Sequence, residues 1–293
     1  MNNITLILPV FNDWESLNIL LKNMEIVLKK TNYKFNILLI DDSSTEKNIY
    51  QLNGNNFFKK ITLLNLKQNI GSQRAIATAI KYIEKNYKKF DDKFIIMDSD
   101  GEDDPHKILE LLKLIEKNDK VKIVTFNRTI RKESFIFSFL YEIHLFLTFL
   151  LTFNYTRFGN YSFIKFEIIK ELSKKEELWL AYSATLNKHF KKKYEIKAQR
   201  KKRISGKSKM SYFNLIKHSL SIQAVNKKNL PYSYSIIFIL FLFLIPITSI
   251  YAFFLILILL FTHFQLINHF YNKRDEKISF KNCLDNINFI RNI

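Results

Sequence analysis

Five short apolar runs, Ile4–Val10, Phe35–Ile40, Ile61–Leu64, Phe94–Met97 and Val121–Phe126, divide the first half of the chain. Helical patterns lie between them, near Trp14–Lys30, Ser72–Asn86 and Pro105–Asn118. Runs of four to seven β-branched and aliphatic residues, separated by amphipathic helices, predict an α/β layer built on a mostly parallel central sheet. In such sheets ligands bind beyond the carboxyl ends of the strands. Pro9, the pair Asp41 and Asp42, and Asp98 all fall at those ends, which points to one shared site.

The fourth run stops at Asp98-Ser99-Asp100-Gly101-Glu102-Asp103-Asp104-Pro105. Residues two apart in extended chain face the same way, so Asp98 and Asp100 would enter one cleft. Like charges held that close repel unless a cation lies between them or one keeps a proton. Hard oxygen ligands favour Mg²⁺ or Mn²⁺, ions that usually arrive with substrate phosphates. The same residues also suit a solvated acidic loop capping a helix at Pro105.

A formal net charge of +19 calls for an anionic partner: nucleic acid, an acidic membrane face or a phosphorylated substrate. The basic run lacks interleaved aromatics, which argues against nucleic acid. The single cysteine, Cys283, excludes an intramolecular disulfide and fits a reducing compartment. Met1 leads directly into the first strand pattern, with no export signal. The five glycines, Gly54, Gly71, Gly101, Gly159 and Gly206, form no dinucleotide fingerprint. Gly206-Lys207-Ser208 looks like the end of a P-loop, but Lys201 stands where the earlier glycine is required.

Two further stretches point to a membrane. Phe135–Phe153 is apolar, with Ser134, Ser138, Glu142, Thr148 and Thr152 near one helical face, a pattern that predicts a helix lying in the membrane interface. If it crossed, the acidic cluster and the basic region after Tyr194 would be on opposite sides. Tyr232–Phe270 is almost uninterrupted in its apolarity, too long for one upright helix. Pro246, Thr248 and Ser249 offer a break, and Lys227, Lys228, Lys273 and Arg274 flank the stretch. Basic residues at both ends favour a transmembrane hairpin with both ends cytoplasmic; a single tilted span is the alternative. The expected organisation is a catalytic domain over residues 1–230 (with the interface helix at 130–154), a hairpin at 231–271 and a cytoplasmic tail at 272–293. This makes a multi-pass protein of the cytoplasmic membrane.

Taken in order, the motifs resemble those of glycosyltransferase family 2, enzymes of GT-A fold, and most of all its polyprenyl-phosphate branch. Ile7-Leu8-Pro9-Val10-Phe11-Asn12-Asp13 is similar to the family's first strand and turn, with Asp13 where Glu is commoner. Leu39-Ile40-Asp41-Asp42-Ser43-Ser44 resembles its nucleotide-binding strand end, and Asn69-Ile70-Gly71-Ser72-Gln73-Arg74-Ala75 its turn opening a helix under the donor. Asp98-Ser99-Asp100 matches the Asp-x-Asp element, and Arg203-Ile204-Ser205-Gly206-Lys207-Ser208-Lys209-Met210 is similar to an Arg-x-x-Gly-x-Ser-Lys-Tyr signature. The resemblance covers roughly residues 4–228 and continues into the hairpin.

The resemblance implies roles residue by residue. Pro9, Asp41 and Asp42 would hold the base and ribose of a nucleotide sugar, with Gly71 and Arg74 beneath it. Asp98 would lie near ribose and metal. Asp100 would coordinate the Mg²⁺ or Mn²⁺ that bridges the diphosphate, and Glu102, where relatives often carry Gln, would be a further ligand. Arg128 would contact phosphate. Arg203, Ser208 and Lys209 would bind the donor diphosphate or the acceptor phosphate, with Asp100, Arg203 and Lys209 catalytic. The acceptor implied is a polyprenyl phosphate, already anionic and able to attack without a general base. A hydroxyl acceptor on a lipid-linked glycan would need one, and Glu176 or Glu177 are the candidates. A non-catalytic membrane protein that recruits partners is the other alternative. Lys191-Lys192-Lys193 suits anionic lipid head groups. Trp14 and Trp179 suit packing, and the histidines have no metal-ligand spacing.

Overall fold

The computed structural model describes residues 3–46, 57–87, 92–129, 135–206, 212–244, 250–276 and 278–293. The expected strands are β1 (Asn3–Val10), β2 (Lys34–Asp41), β3 (Lys60–Leu66), β4 (Lys93–Ile96) and β5 (Ile123–Thr129). Three more join them: β6 (Phe158–Lys165), β7 (Tyr194–Gln199) and β8 (Ile287–Asn292). All eight form one sheet in the order β7-β5-β6-β4-β1-β2-β3-β8. The central β4, β1, β2 and β3 are mutually parallel. β6 runs antiparallel to both its neighbours, and β8 antiparallel to β3.

Strand alternation explains the two-sided core. Leu6, Leu8, Ile37 and Leu39 point to the face covered by α1 (Trp14–Leu28) and α3 (Lys107–Lys117). Ile7, Leu38 and Ile40 point to the other, where α2 (Ser72–Asn86), α5 (Phe166–Leu172) and α6 (Tyr182–His189) pack. A parallel strand buried on both faces needs apolar residues at every position, which is why these runs do not alternate with polar residues. Each fully buried Leu, Ile or Phe contributes about 1.5–3 kcal/mol. Trp14 and Trp179 are both buried core residues.

The remaining helices are α4 (Phe135–Thr152), α7 (Tyr212–Val225), α8 (Leu230–Leu244) and α9 (Ile250–Asn272). A third cluster, including Leu180, Ala181, Ala184, Ala224, Val225, Leu230 and Ile267, joins them to α6. Thr148 and Thr152 of α4 turn inward rather than forming a polar stripe, and Asn229 and Ser233 donate to the Thr152 and Leu151 carbonyls. Phe146, Leu147, Phe149 and Leu150 of α4 remain exposed, as do Phe243 of α8 and Tyr251 of α9. Among the described residues, one segment is long and apolar enough to cross a membrane, the 26 residues Ile250–Asp275. α8 has 15 residues, roughly 22 Å of helix and short of a bilayer core. Pro246, the expected break of the hairpin, lies outside the described residues. Among the described residues, then, one segment meets that length where the hairpin expects two.

The described residues of 272–293, a stretch expected as a tail, are folded onto the domain. Trp179 Nε1 donates to the Ile278 carbonyl at 3.1 Å, Phe280 and Cys283 are buried, and β8 closes the β3 edge. An exposed edge strand invites pairing with other chains, and β8 removes that edge from β3.

Candidate active site

Two turns build one side of the cleft. β2 ends at Asp41, whose Oδ1 accepts from the Ser44 amide at 2.8 Å and Oδ2 from the Asn65 amide group at 2.8 Å. Asp42 accepts from the Ile70 and Gly71 backbone N–H groups, each at 2.8 Å. Gly71 sits at φ +86°, a conformation glycine adopts without a Cβ penalty, and its turn presents both N–H groups to one carboxylate. Burial pushes Asp42 up to about 6, although the two N–H donors oppose the shift. Pro9 pairs in register with Ile40, one residue before Asp41.

The acidic loop after β4 is folded inward rather than splayed into water. Asp98 Oδ1 accepts from Asn160 Nδ2 at 2.8 Å, and Asp100 Oδ1 from the Glu102 amide at 3.0 Å. Asp103 is buried and accepts from the Asp98 amide at 3.0 Å, holding the loop from below. Burial raises the pKa of Asp100, the Asp98 charge raises it further, and Arg203 works against both. Asp103 is raised mainly by burial, then by Asp98.

A basic strap lies across this loop. The Lys201 amide donates to the Glu102 carbonyl at 2.8 Å, and the Ile204 amide to the Asp100 carbonyl at 3.1 Å. Arg203 Nη1 meets Asp100 Oδ2 at 3.2 Å while Nη2 pairs with Asp13. Ser205 donates to Glu15 at 2.6 Å. Gly101, at φ +78°, receives Ile204 so closely that a Cβ would stand 2.1 Å from its Cδ1. Arg128 lies against Gly159, where a Cβ would stand 2.3 Å from Nη2. Its charge favours the ionised forms of Asp100 and Asp103. Glycine at 159 therefore leaves the space that the Arg128 guanidinium occupies.

The structure thus brings together Pro9, Asp41, Asp42, Gly71, Asp98, Asp100, Arg128 and Arg203. Two candidates go elsewhere. Glu102 faces the Arg200 guanidinium, and among the described residues no group of three or more His, Cys, Asp or Glu is set to hold a metal ion. The expected Asp98, Asp100 and Glu102 ligand set is therefore not assembled, because the strap takes Glu102. Arg74 donates to the Arg274 carbonyl at 2.8 Å and lies over the Trp179 ring, drawn to the C-terminal segment. Ser208 and Lys209 lie outside the described residues.

Four residues were not expected here: Asp103, Asn160, Gln73 and Asn65. Gln73 Nε2 donates to Asn160 Oδ1 at 2.9 Å, so Asn160 links α2 to Asp98. Asp103 had a signal in the acidic run; the amides had none. The two base candidates are occupied. Glu176 pairs with Arg274 at 2.7 Å, and Glu177 with Lys188 at 2.7 Å. Burial works to raise Glu177, but the hydrogen bond from Lys188, a backbone hydrogen bond and the charges of Lys188 and His189 together hold the carboxyl below its usual range.

These shifts set a pH dependence. A carboxyl whose pKa is raised on folding stabilises fully below its unfolded value and loses that contribution as pH rises through the folded one. Asp42, Asp100 and Asp103 all shift in this direction, Asp42 to about 6. Metal-free protein should therefore melt at a higher temperature at pH 5 than at pH 7.5, since a tenfold difference in proton affinity between folded and unfolded chain is worth about 1.4 kcal/mol. Asp104 and Glu177 shift the other way, and their loss falls below that window; His189, lowered mainly by burial, opposes the trend inside the window but is one group against three acids. A melting temperature that rises steadily from pH 5 to 7.5 would contradict the charge crowding described here.

The family model "Glycosyl transferase family 2" matches residues 5–175. The chain belongs to glycosyl transferase family 2. The matched segment contains every site residue named above up to Arg128, and excludes the strap and β8. Among curated proteins, undecaprenyl-phosphate 4-deoxy-4-formamido-L-arabinose transferase of Pseudomonas savastanoi pv. phaseolicola is 29% identical over 128 residues, 43% of this chain and 36% of that protein. The protein of the same name from Pseudomonas syringae pv. syringae is 28% identical over the same shares. The chain thus spans little more than a third of the length of these curated relatives. Among solved structures, glucosyl-3-phosphoglycerate synthase from Mycobacterium tuberculosis, in complex with Mn²⁺ and UDP-glucose, is similar with a TM-score of 0.50 at 9% identity, over 78% of this chain and 79% of that one. That likeness is one of fold, and it agrees with the GT-A architecture expected for this family.

Proposed function

We propose that this family 2 glycosyltransferase is membrane-bound and moves a sugar from a nucleotide sugar to a polyprenyl phosphate, inverting the anomeric carbon. The observation that carries the reading is the inward-folded pocket in which Arg203 clasps Asp100 and Asp13 while Asn160 holds Asp98, set at the strand ends of a domain whose other helices expose apolar faces. The names of the curated relatives support a polyprenyl-phosphate acceptor.

The donor's base and ribose lie along Pro9, Asp41 and Asp42. As the bond from the anomeric carbon to the diphosphate breaks, its electron pair leaves on the diphosphate oxygen, and a lipid-phosphate oxygen forms the new bond. Arg203 and Arg128 offset the charge that develops on the leaving group. Ser208 and Lys209 share that task in this reading. Asp98 and Asp100 are hard oxygen donors, and burial first, then the Asp98 charge, raises Asp100, an arrangement that fits a divalent ion, Mg²⁺ or Mn²⁺. When bound, the ion neutralises diphosphate charge without proton transfer. The ion pairs of Glu176 and Glu177 support a reaction without a dedicated base.

β7 precedes α7, α8 and α9, and β8 follows them, yet both strands belong to one sheet. Whatever enters the membrane between them must return to the same side. This supports an α8–α9 hairpin with the domain on the cytoplasmic face, α4 in the interface and basic residues near anionic lipids. Single cysteines at Lys228 and Lys273 should then react with an impermeant maleimide from the same side of sealed vesicles. Labelling from opposite sides would rule out the hairpin.

The activity test uses membranes containing the full chain, labelled nucleotide sugars, Mg²⁺ or Mn²⁺, and polyprenyl phosphate. Label should enter the organic phase and be released by mild acid. Label that stays in the aqueous phase with every donor would refute the acceptor.

A further inference from the structure

We propose that β8 completes the donor site, and that Asn288 is a positioning residue for the nucleobase. This rests on the nucleotide-sugar reading above. It adds a segment that enters the site only after the chain has passed through its membrane helices.

The register carries the argument. Val10 pairs with Asp41, Asp41 with Asn65, and Asn65 with Phe289, so four strands line up one row at the base side of the cleft. The next pair is Leu66 with Ile287, which leaves Asn288 as the extra residue of a β-bulge. A bulge bends its strand and re-aims a side chain, and bulges are common beside active sites. Here the re-aimed group is an amide: Asn288 Nδ2 donates to Asn65 Oδ1 at 3.2 Å, and Asn65 Nδ2 donates to Asp41 Oδ2 at 2.8 Å. Asp41 Oδ1 is held by the Ser44 amide.

The chain of donors has one direction. The carboxylate oxygens of Asp41 only accept, so Asn65 turns its nitrogen to Asp41 and its oxygen to β8, where Asn288 Nδ2 meets it. Asp41 is thereby kept as an acceptor, with lone pairs left for an N–H of the base. Without Asn288, the Asn65 oxygen loses its partner on β8 and the amide is held against Asp41 from one side only. β8 is well anchored for this task. Lys67 N donates to the Asn286 carbonyl at 2.8 Å, and Thr62 Oγ1 to Asn292 Oδ1 at 3.1 Å.

A plain edge-strand role predicts something different. Loss of a purely structural contact would weaken every ligand of the cleft alike. Positioning of Asp41 concerns the base alone and leaves diphosphate recognition unchanged.

The test uses the full chain in detergent with Mn²⁺. Calorimetry against UDP, GDP, CDP and TDP first identifies the preferred nucleotide. Asn288→Ala should then raise the Kd for that nucleotide about five- to tenfold, as expected for one hydrogen bond. Asn288→Asp should raise it more, because a carboxylate facing Asn65 forces the reversed amide. Inorganic pyrophosphate, which has no base, should bind all three proteins equally. Unchanged nucleotide affinity in both variants, or equal loss for pyrophosphate, would overturn the proposal. If the unaltered protein binds none of the four nucleotides, the donor reading itself fails, and this inference fails with it.

Discussion

Asp100→Asn lowers sugar transfer by about 10²–10³-fold and at the same time raises the melting temperature of the metal-free protein. The first effect follows from the chemistry. Asparagine keeps the shape and can still accept the Glu102 amide at 3.0 Å, but it removes the charge that faces Arg203 and fits a divalent ion. In this reading Asp100 acts through the divalent ion it would hold, and weakening that counter-charge to the leaving group is worth that range. The second effect follows from the crowding. Asp100 is buried beside Asp98 and near Asp13, and its ionised form is disfavoured there. A site that is better folded without its functional charge holds that charge for catalysis. Transfer assays and thermal melts on the same preparations check both effects. A variant that melts earlier and still transfers at the normal rate would remove Asp100 from the site.

Arg203→Ala acts in the opposite sense on stability. Its guanidinium bridges Asp100 and Asp13, with the side chain 16% exposed and each carboxylate 14%. Removing one partner of a buried pair costs about 3–5 kcal/mol, and this partly wetted site belongs at the lower end. Transfer should also fall about 10²-fold or more, since the leaving diphosphate loses its counter-charge. Arg203→Lys should recover little, because one ammonium does not span two carboxylates as a planar fork does. Urea melts and initial rates measure the two losses. If lysine restores both, the bridge is a simple charge effect.

The sheet was legible because its central strands are buried on both faces and stand out as unbroken apolar runs. β6 and β7 were not. Phe158–Lys165 carries Gly159, Asn160 and Ser162 for reasons of the site, and Tyr194–Gln199 is a lysine-bearing edge strand with a weak pattern. β8 has two asparagines and an arginine in six residues, a composition that reads as loop, and it becomes a strand only because β3 offers an open edge. The acids of the site were legible because several charges at the end of an apolar run demand an explanation. Their supports were not. Asn160, Gln73 and Asn65 are neutral amides, and nothing in their local sequence says which carboxylate they will meet. Glu102 and Arg74 were assigned by motif position, but tertiary partners, Arg200 and the Arg274 carbonyl, take them.

The linkage in the lipid product tests the central claim most directly. Phosphorus NMR and mass spectrometry of the purified product should show a phosphodiester joining the anomeric carbon to the polyprenyl phosphate, with inverted configuration. A product whose new sugar is attached to a hydroxyl, with the carrier phosphate unaltered, would contradict it.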